Sequence, residues 1–301
     1  NMMTQYHNPV LLKETLKGLK IKSEGVYVDV TYGGGGHSKA IIELLGETGR
    51  LFGFDQDNDA FANKIDDSRF EFITANFSHL TQYLKYHRVK FVDGILADFG
   101  VSSYQFDNGD RGFSIRNEGR LDMRMNQSQN LDASHVLNEY SKDAISKLLF
   151  NYGELRNSKK IAEIIFSARS EYQIETTKDL INILIPLVPL KSQNKFLAKI
   201  FQAIRIEVND ELRVLKTFLK QSAEILRPGG RLVCISYHSL EDRLVKRFIK
   251  SGNFEGKEEK DFFGNSLSPL FKIGKLKVPS QEEIKNNSRA RSAKLRIGEK
   301  K

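Results

Sequence analysis

Apolar and polar positions follow two periods along this chain, and the switch between them divides it into three parts. From residue 10 to 97, short runs rich in β-branched and aromatic residues alternate with segments of helical spacing, the pattern of a doubly wound α/β sheet. Strands are expected at 26–30, 51–55, 70–74 and 91–97, and helices at 38–45, 57–65 and 78–86, each helix opening at or just after a capping Ser or Asp. After Asp98 the alternation stops. A polar, Gly-rich stretch at 107–130 precedes five segments with apolar residues three and four apart, at 132–138, 141–150, 158–170, 177–185 and 193–207. The α/β pattern then resumes with a helix to Leu226, the turn Arg227-Pro-Gly-Gly230, a strand at 231–236, a helix at 239–249 and an edge strand at 293–297. The organisation expected is therefore a core of residues 2–111 and 207–301 interrupted by an inserted all-α domain of residues 112–206.

Composition narrows the class without changing this picture. The 301 residues are 40% hydrophobic and 28% charged, with 22 Gly and 6 Pro, values of an ordinary globular protein. The longest apolar stretch, Ile183 to Leu190, is broken by Pro186 and Pro189 and falls far short of the roughly 20 residues that cross a bilayer. No membrane partner is expected. The one cysteine, Cys234, cannot pair within the chain, and the first residues lack the basic-then-apolar pattern of a secretory signal, so a cytoplasmic protein is expected. Of the formal net charge of +9, +7 lies between Lys272 and Lys301, where ten basic residues face three acidic ones. A basic tail of that kind suits a polyanion such as RNA, and equally suits a solvated face.

The chemistry-bearing residues gather at strand ends. Asp29-Val-Thr-Tyr-Gly-Gly-Gly-Gly-His-Ser38 joins the first strand to a helix, and a glycine-rich strand-to-helix turn lets backbone approach a nucleotide closely. Gly33 and Gly35 are followed by Ser38, so the third glycine of a dinucleotide fingerprint is missing. Asp55 ends the second strand about 20 residues after the loop, where a carboxylate can accept both ribose hydroxyls. An acidic strand end, a short loop and no phosphate-binding lysine point to S-adenosylmethionine rather than NAD or ATP. Phe77 follows the third strand, where it can cover an adenine or pack in the core. Asp98, in Asp98-Phe-Gly-Val-Ser-Ser103, is the candidate catalytic residue. His238, in Ile235-Ser-Tyr-His-Ser-Leu-Glu-Asp-Arg243, reads better as a helix cap than as a general base. The histidines have no metal-ligand spacing, so no metal is expected.

These segments, with His7-Asn-Pro-Val-Leu-Leu12, Arg111-Gly-Phe-Ser114, Leu121-Asp-Met-Arg-Met125, Phe201-Gln-Ala-Ile-Arg-Ile-Glu-Val-Asn-Asp-Glu-Leu212 and Ser288-Arg-Ala-Arg-Ser-Ala-Lys-Leu-Arg296, resemble the bacterial ribosomal RNA small-subunit methyltransferase H family, also called MraW. The resemblance covers about residues 7–297. It implies a Rossmann-like class I S-adenosylmethionine-dependent methyltransferase sheet and N4-methylation of a cytidine in the decoding centre of 16S rRNA, within the P site of the small ribosomal subunit. The family's donor contacts fall on Gly35, Gly36, His37, Asp55, Phe77, Asp98 and Gln105. Where many DNA amine methyltransferases have Asp-Pro-Pro-Tyr, this chain has Asp98-Phe-Gly-Val101, leaving Phe99, Tyr104 or Tyr237 to stack on the base. Arg111, Arg116, Arg120 and Arg124 are candidate phosphate contacts. A small-molecule methyltransferase and a non-enzymatic RNA-binding assembly factor stay open as alternatives, as does a homodimer.

Overall fold

The computed structural model describes residues 8–301, so His7 and residues 2–6 of the expected first core segment lie outside the described residues. The chain forms two compact units, one comprising residues up to Gly100 together with Leu212–Lys301, the other Val101–Glu211. The second unit is wider at both ends than the insertion expected at 112–206.

The first unit is built on α1 (Leu12–Leu19), β1 (Val26–Asp29), α2 (Gly36–Leu44), β2 (Arg50–Asp55), β3 (Phe70–Thr74), α3 (Leu80–Tyr86) and β4 (Val92–Asp98). The second contains α4 (Ser103–Asp107), α5 (Ala133–Glu139), α6 (Lys142–Gly153), α7 (Ser158–Glu171), α8 (Thr177–Leu184) and α9 (Gln193–Asn209). The chain then returns through α10 (Glu211–Ile225), β5 (Leu226–Ser236), α11 (Ser239–Ser251), β6 (Leu270–Lys272), α12 (Gln281–Asn286) and β7 (Lys294–Lys300). Seven strands form one sheet in the order β3-β2-β1-β4-β5-β7-β6. The first five run parallel, whereas β7 is antiparallel to β5 and to β6. This is a doubly wound, Rossmann-like α/β sheet, as expected. The order reverses between β1 and β4, and the crevice outside the carboxyl ends of the strands at such a reversal is where α/β sheets bind ligands.

Both sheet faces are covered, and the strands are accordingly apolar on both. Val28, Phe52, Phe54, Ile95 and Phe218 fill one core; Leu11, Ile41, Leu51, Leu96, Val233 and Leu295 fill another. The helical unit has its own core around Leu121, Leu149, Ile161, Leu180 and Ile200. Its helix starts were readable because the caps form: Asp132 accepts from His135 N–H, Ser141 from Ala144 N–H, and Thr176 and Asp179 make a reciprocal capping box.

Several expectations need correction. The segment at 57–65 is a short 3₁₀ helix, Asn58–Asn63, opened by Asp57 accepting from Asp59 N–H; Asn and Asp compete with the backbone and do not sustain an α-helix. The turn Arg227–Gly230 is looped out of β5 opposite Asp93, since Leu226 pairs with Val92 and Arg231 with Gly94. The last strand is not an edge, because β6 pairs beyond it. Nor is the basic segment a tail: Arg296 makes two bonds to Asp242, at 2.7 and 3.1 Å, and Arg231 holds Glu299 at 2.8 Å.

Candidate active site

The carboxyl ends of β1, β2 and β4 bring three carboxylates to one crevice in the first unit. Asp29 is fully buried, its Oδ2 accepting from Ser38 Oγ at 2.7 Å and its Oδ1 from Thr31 N–H at 3.1 Å. Asp55 accepts from Gly33 N–H at 2.8 Å and from Asp57 N–H at 2.9 Å, so it anchors the glycine loop to the end of β2. Asp98 donates its backbone N–H to Thr31 Oγ1 at 2.7 Å, and its Oδ1 accepts from the Tyr237 hydroxyl at 2.7 Å. The Asp98 side chain is 22% exposed, which leaves it open to a ligand.

The loop between β1 and α2 is shaped by its glycines. Gly35 occupies the N-cap of α2 at φ +79°, and a Cβ there would stand 2.6 Å from the Tyr32 hydroxyl. The next helix residue, Gly36, would place a Cβ 2.6 Å from Pro9 Cγ. Gly34 differs from both: it is exposed, and a Cβ would meet nothing within 4 Å. No packing inside the protein accounts for a glycine there.

His37 is buried in the first turn of α2. Its Nε2 lies 2.8 Å from the Val10 carbonyl, and because a carbonyl only accepts, Nε2 carries a proton. Nδ1 then faces Asp98 Oδ2 at 3.8 Å. Burial pushes the Asp55 and Asp98 carboxyls up to about 6, and it also raises Asp29. Near Asp98 this is opposed first by His37 and then by the Tyr237 hydrogen bond. Among the described residues no Lys or Arg pairs with any of the three. Buried carboxylates without a cation are costly unless a ligand supplies one, so the crevice suits a positively charged small molecule.

Tyr237 follows β5 and His238 caps α11, accepting from Glu241 N–H; the capping reading of His238 therefore agrees with its geometry. Phe77 is half-buried, 6.0 Å from the Phe99 ring and 5.2 Å from Phe218, so one side packs in the core and the other is open. Phe99 itself is buried and cannot stack on a base. Gln105 belongs to the second unit, where it is buried and its side chain accepts from Ser102 N–H at 3.1 Å in the cap of α4. The proposed arginine cluster divides. Arg111 is buried with Nη2 on the Arg124 carbonyl, and Arg124 is spent on Asp122 at 2.8 Å and on the carbonyls of Gln127 and Gln129. Only Arg116 and Arg120 are exposed. Sequence reasoning missed Asp29 as a site carboxylate; the available signal was an acid inside an apolar strand. Among the described residues no cluster of His, Cys, Asp or Glu could hold a metal ion, and no helix is long and apolar enough to cross a membrane.

Comparison with known proteins gives this crevice a family. The model of the MraW methylase family matches residues 4–301. The chain belongs to the MraW methylase family. Curated MraW relatives include Ribosomal RNA small subunit methyltransferase H of Flavobacterium johnsoniae, 58% identical over 98% of both chains, and of Christiangramia forsetii, 55% identical over 99% of both. Among solved structures, a putative rRNA methylase from Clostridium thermocellum aligns with a TM-score of 0.46 and 13% identity over 97% of this chain and 98% of that one; membership in MraW rests on the sequence relatives. The three carboxylates and the glycine loop therefore sit in a methylase.

Proposed function

We propose that this protein transfers a methyl group from S-adenosylmethionine to the exocyclic N4 amine of a cytidine in the decoding centre, within the P site, of 16S rRNA in the small ribosomal subunit. The observation that carries the donor assignment is the set of three carboxylates gathered at the ends of β1, β2 and β4, with no Lys or Arg paired to them among the described residues. The names of the curated relatives support small-subunit ribosomal RNA as the acceptor, and the resemblance of motifs adds the cytidine amine. When bound, the donor supplies an electrophilic methyl on a positively charged sulfur.

The chain's own residues do the rest. Gly34, Gly35 and Gly36 offer backbone to the ligand, His37 and Phe77 line it, and Asp55 accepts from its ribose hydroxyls. Asp98 is the catalytic residue. Tyr237 fixes Oδ1, which leaves Oδ2 to accept an N–H of the cytosine amine. That bond counters the delocalisation of the amine lone pair into the ring and stabilises the positive charge that develops on nitrogen. With its carboxyl at about 6, Asp98 is ionised at neutral pH and basic enough for Oδ2 to take the departing proton. Holding the reactants in attack geometry contributes on the order of 7–11 kcal/mol.

The test is methyl transfer from labelled S-adenosylmethionine to small subunits lacking the modification, with the labelled nucleoside mapped and Asp98→Asn run alongside. Label on a cytidine amine, with donor binding retained and turnover lost in the variant, is the expected result. Label on another nucleoside would overturn the cytidine assignment. Loss of donor binding in Asp98→Asn would reduce Asp98 to a binding residue.

A further inference from the structure

At the far edge of the first unit's sheet lies a second concave surface. A cavity of about 440 Å³ is lined by residues of α11, β6, β7 and the segment that precedes and follows β6. Strand order places it three strands beyond β4, about 14 Å along the sheet at the spacing of neighbouring strands. Its apolar lining includes Phe271, Ile273 and Leu276, of which Phe271 and Leu276 are 40% and 37% exposed. Around these stand Lys246, Lys250, Lys272, Lys275 and Lys301, all exposed, with Glu258 the acidic residue in the lining. Lys301 Nζ is used on the Ser266 carbonyl at 2.8 Å. The other four lysines have no ion pair among the described residues, so the surface carries uncompensated positive charge over an apolar floor.

Beside it rises a hairpin whose stem contributes Glu258 and Ser266 to the lining. Phe262 and Phe263 at its tip are 97% and 85% exposed, with their rings perpendicular at 5.7 Å. The tip is held in place: the Asp261 carboxylate accepts from Phe263 N–H and Asn265 N–H, both at 2.9 Å, and from Asn265 Nδ2 at 3.1 Å. These bonds fix the backbone beneath the two rings, which lowers the ordering cost when a flat partner stacks on them.

We propose that this surface binds single-stranded RNA flanking the methylated nucleotide, with bases on Phe262, Phe263 and the apolar floor and phosphates on Lys246, Lys250, Lys272 and Lys275. Aromatic platforms beside a cationic groove are what unpaired nucleic acid uses. An anionic bilayer fits worse. Being planar, it would lay its charge over Glu258, Glu259 and Asp261 when the rings entered, whereas a strand can route its phosphates over the lysines alone. The proposal rests on the rRNA reading above and adds the location of a contact outside the transfer site.

The experiment compares wild type with Phe262→Ala/Phe263→Ala and with Lys272→Ala/Lys275→Ala, all exposed positions. It measures affinity for small subunits lacking the modification across salt concentrations, donor binding, and methyl transfer at saturating subunits. The phenylalanine pair should weaken RNA affinity about 30-fold or more with the salt slope unchanged. The lysine pair should weaken it and flatten the slope of log K against log salt by about 1.4. Donor binding should stay at the wild-type value in both. Wild-type affinity and slope in both variants, while the wild type methylates subunits, would overturn this surface and leave the enzymatic reading standing. A wild type that binds subunits through these residues but methylates none of their nucleosides would overturn the enzymatic reading and keep the surface. Loss of binding to phosphatidylserine vesicles in the phenylalanine variant, with RNA affinity intact, would replace RNA by a membrane as the occupant.

Discussion

Replacing Tyr237 with phenylalanine removes one oxygen and leaves the ring, and that oxygen donates to Asp98 Oδ1 at 2.7 Å. A hydrogen bond to an ionised group contributes about 1.5–3 kcal/mol, and about 1.4 kcal/mol corresponds to one pKa unit. Part of the bond persists when Asp98 is protonated, because the neutral acid still offers an acceptor, so the lower end of the range applies. The Asp98 carboxyl, already at about 6, should rise by about one unit in Tyr237→Phe. Activity requires the carboxylate, so it falls as pH drops through this pKa, and the acid limb of the profile should move to higher pH. The assay is kcat/KM for the donor from pH 5 to 9, with small subunits as acceptor. At pH 8 and above the variant should approach the wild-type rate, since Asp98 is then ionised in both. An acid limb that stays in place, or moves down, would refute the argument that Tyr237 acts through the charge of Asp98. A uniform loss at every pH would instead make Tyr237 a contact for substrate.

Further outcomes follow from the same carboxylates and loop. Donor affinity should strengthen as pH rises through about 6, where Asp55 and Asp98 ionise, because a cation binds the carboxylates better than the acids; calorimetric titration between pH 5 and 8 that gives a flat profile would contradict this. The folded pKa of Asp98 lies above the ordinary aspartate value of about 3.8, so the stability held by its protonated form is complete below about 4 and gone above about 6. Asp98→Asn keeps a neutral side chain at all pH, and without ligand it should gain on the wild type by up to about 3 kcal/mol between pH 4 and 7, from about 1.4 kcal/mol per unit; denaturant unfolding at the two pH values checks it. Gly35→Ala must take φ +79° against the Tyr32 hydroxyl and should destabilise by at least ~1–2 kcal/mol. Gly34→Ala should change stability by no more than about 1 kcal/mol while weakening donor binding, and unchanged donor affinity would remove Gly34 from the ligand face.

Helix starts in the second unit were legible because a cap is a local matter: Ser141, Thr176 and Asp132 each bond a backbone N–H three residues on, whereas the caps expected at Ser38 and Ser78 do not form, since α2 opens at Gly35 and α3 follows His79. Strand identity was legible because burial on both faces demands continuous β-branched and aromatic runs, as in Leu51-Phe-Gly-Phe-Asp55. The resemblance of motifs placed Asp55, Asp98 and the glycine loop at one crevice, and strand-end position alone marked Asp55 and Asp98. The partners of those groups were not legible. That Tyr237 holds Asp98 across 139 positions of sequence, and that Val10 fixes the proton on His37, are consequences of which strands became neighbours. The same holds for charge. Ten basic residues near the end of the chain read as one tail, yet folding spends Arg296 on Asp242 and leaves Lys272 and Lys275 open around an apolar floor. Local periodicity and capping act over a few residues, so the sequence by itself determined elements and their order. Compensation of charge and the tuning of carboxylates depend on groups brought together from distant positions, and only the tertiary structure decided them.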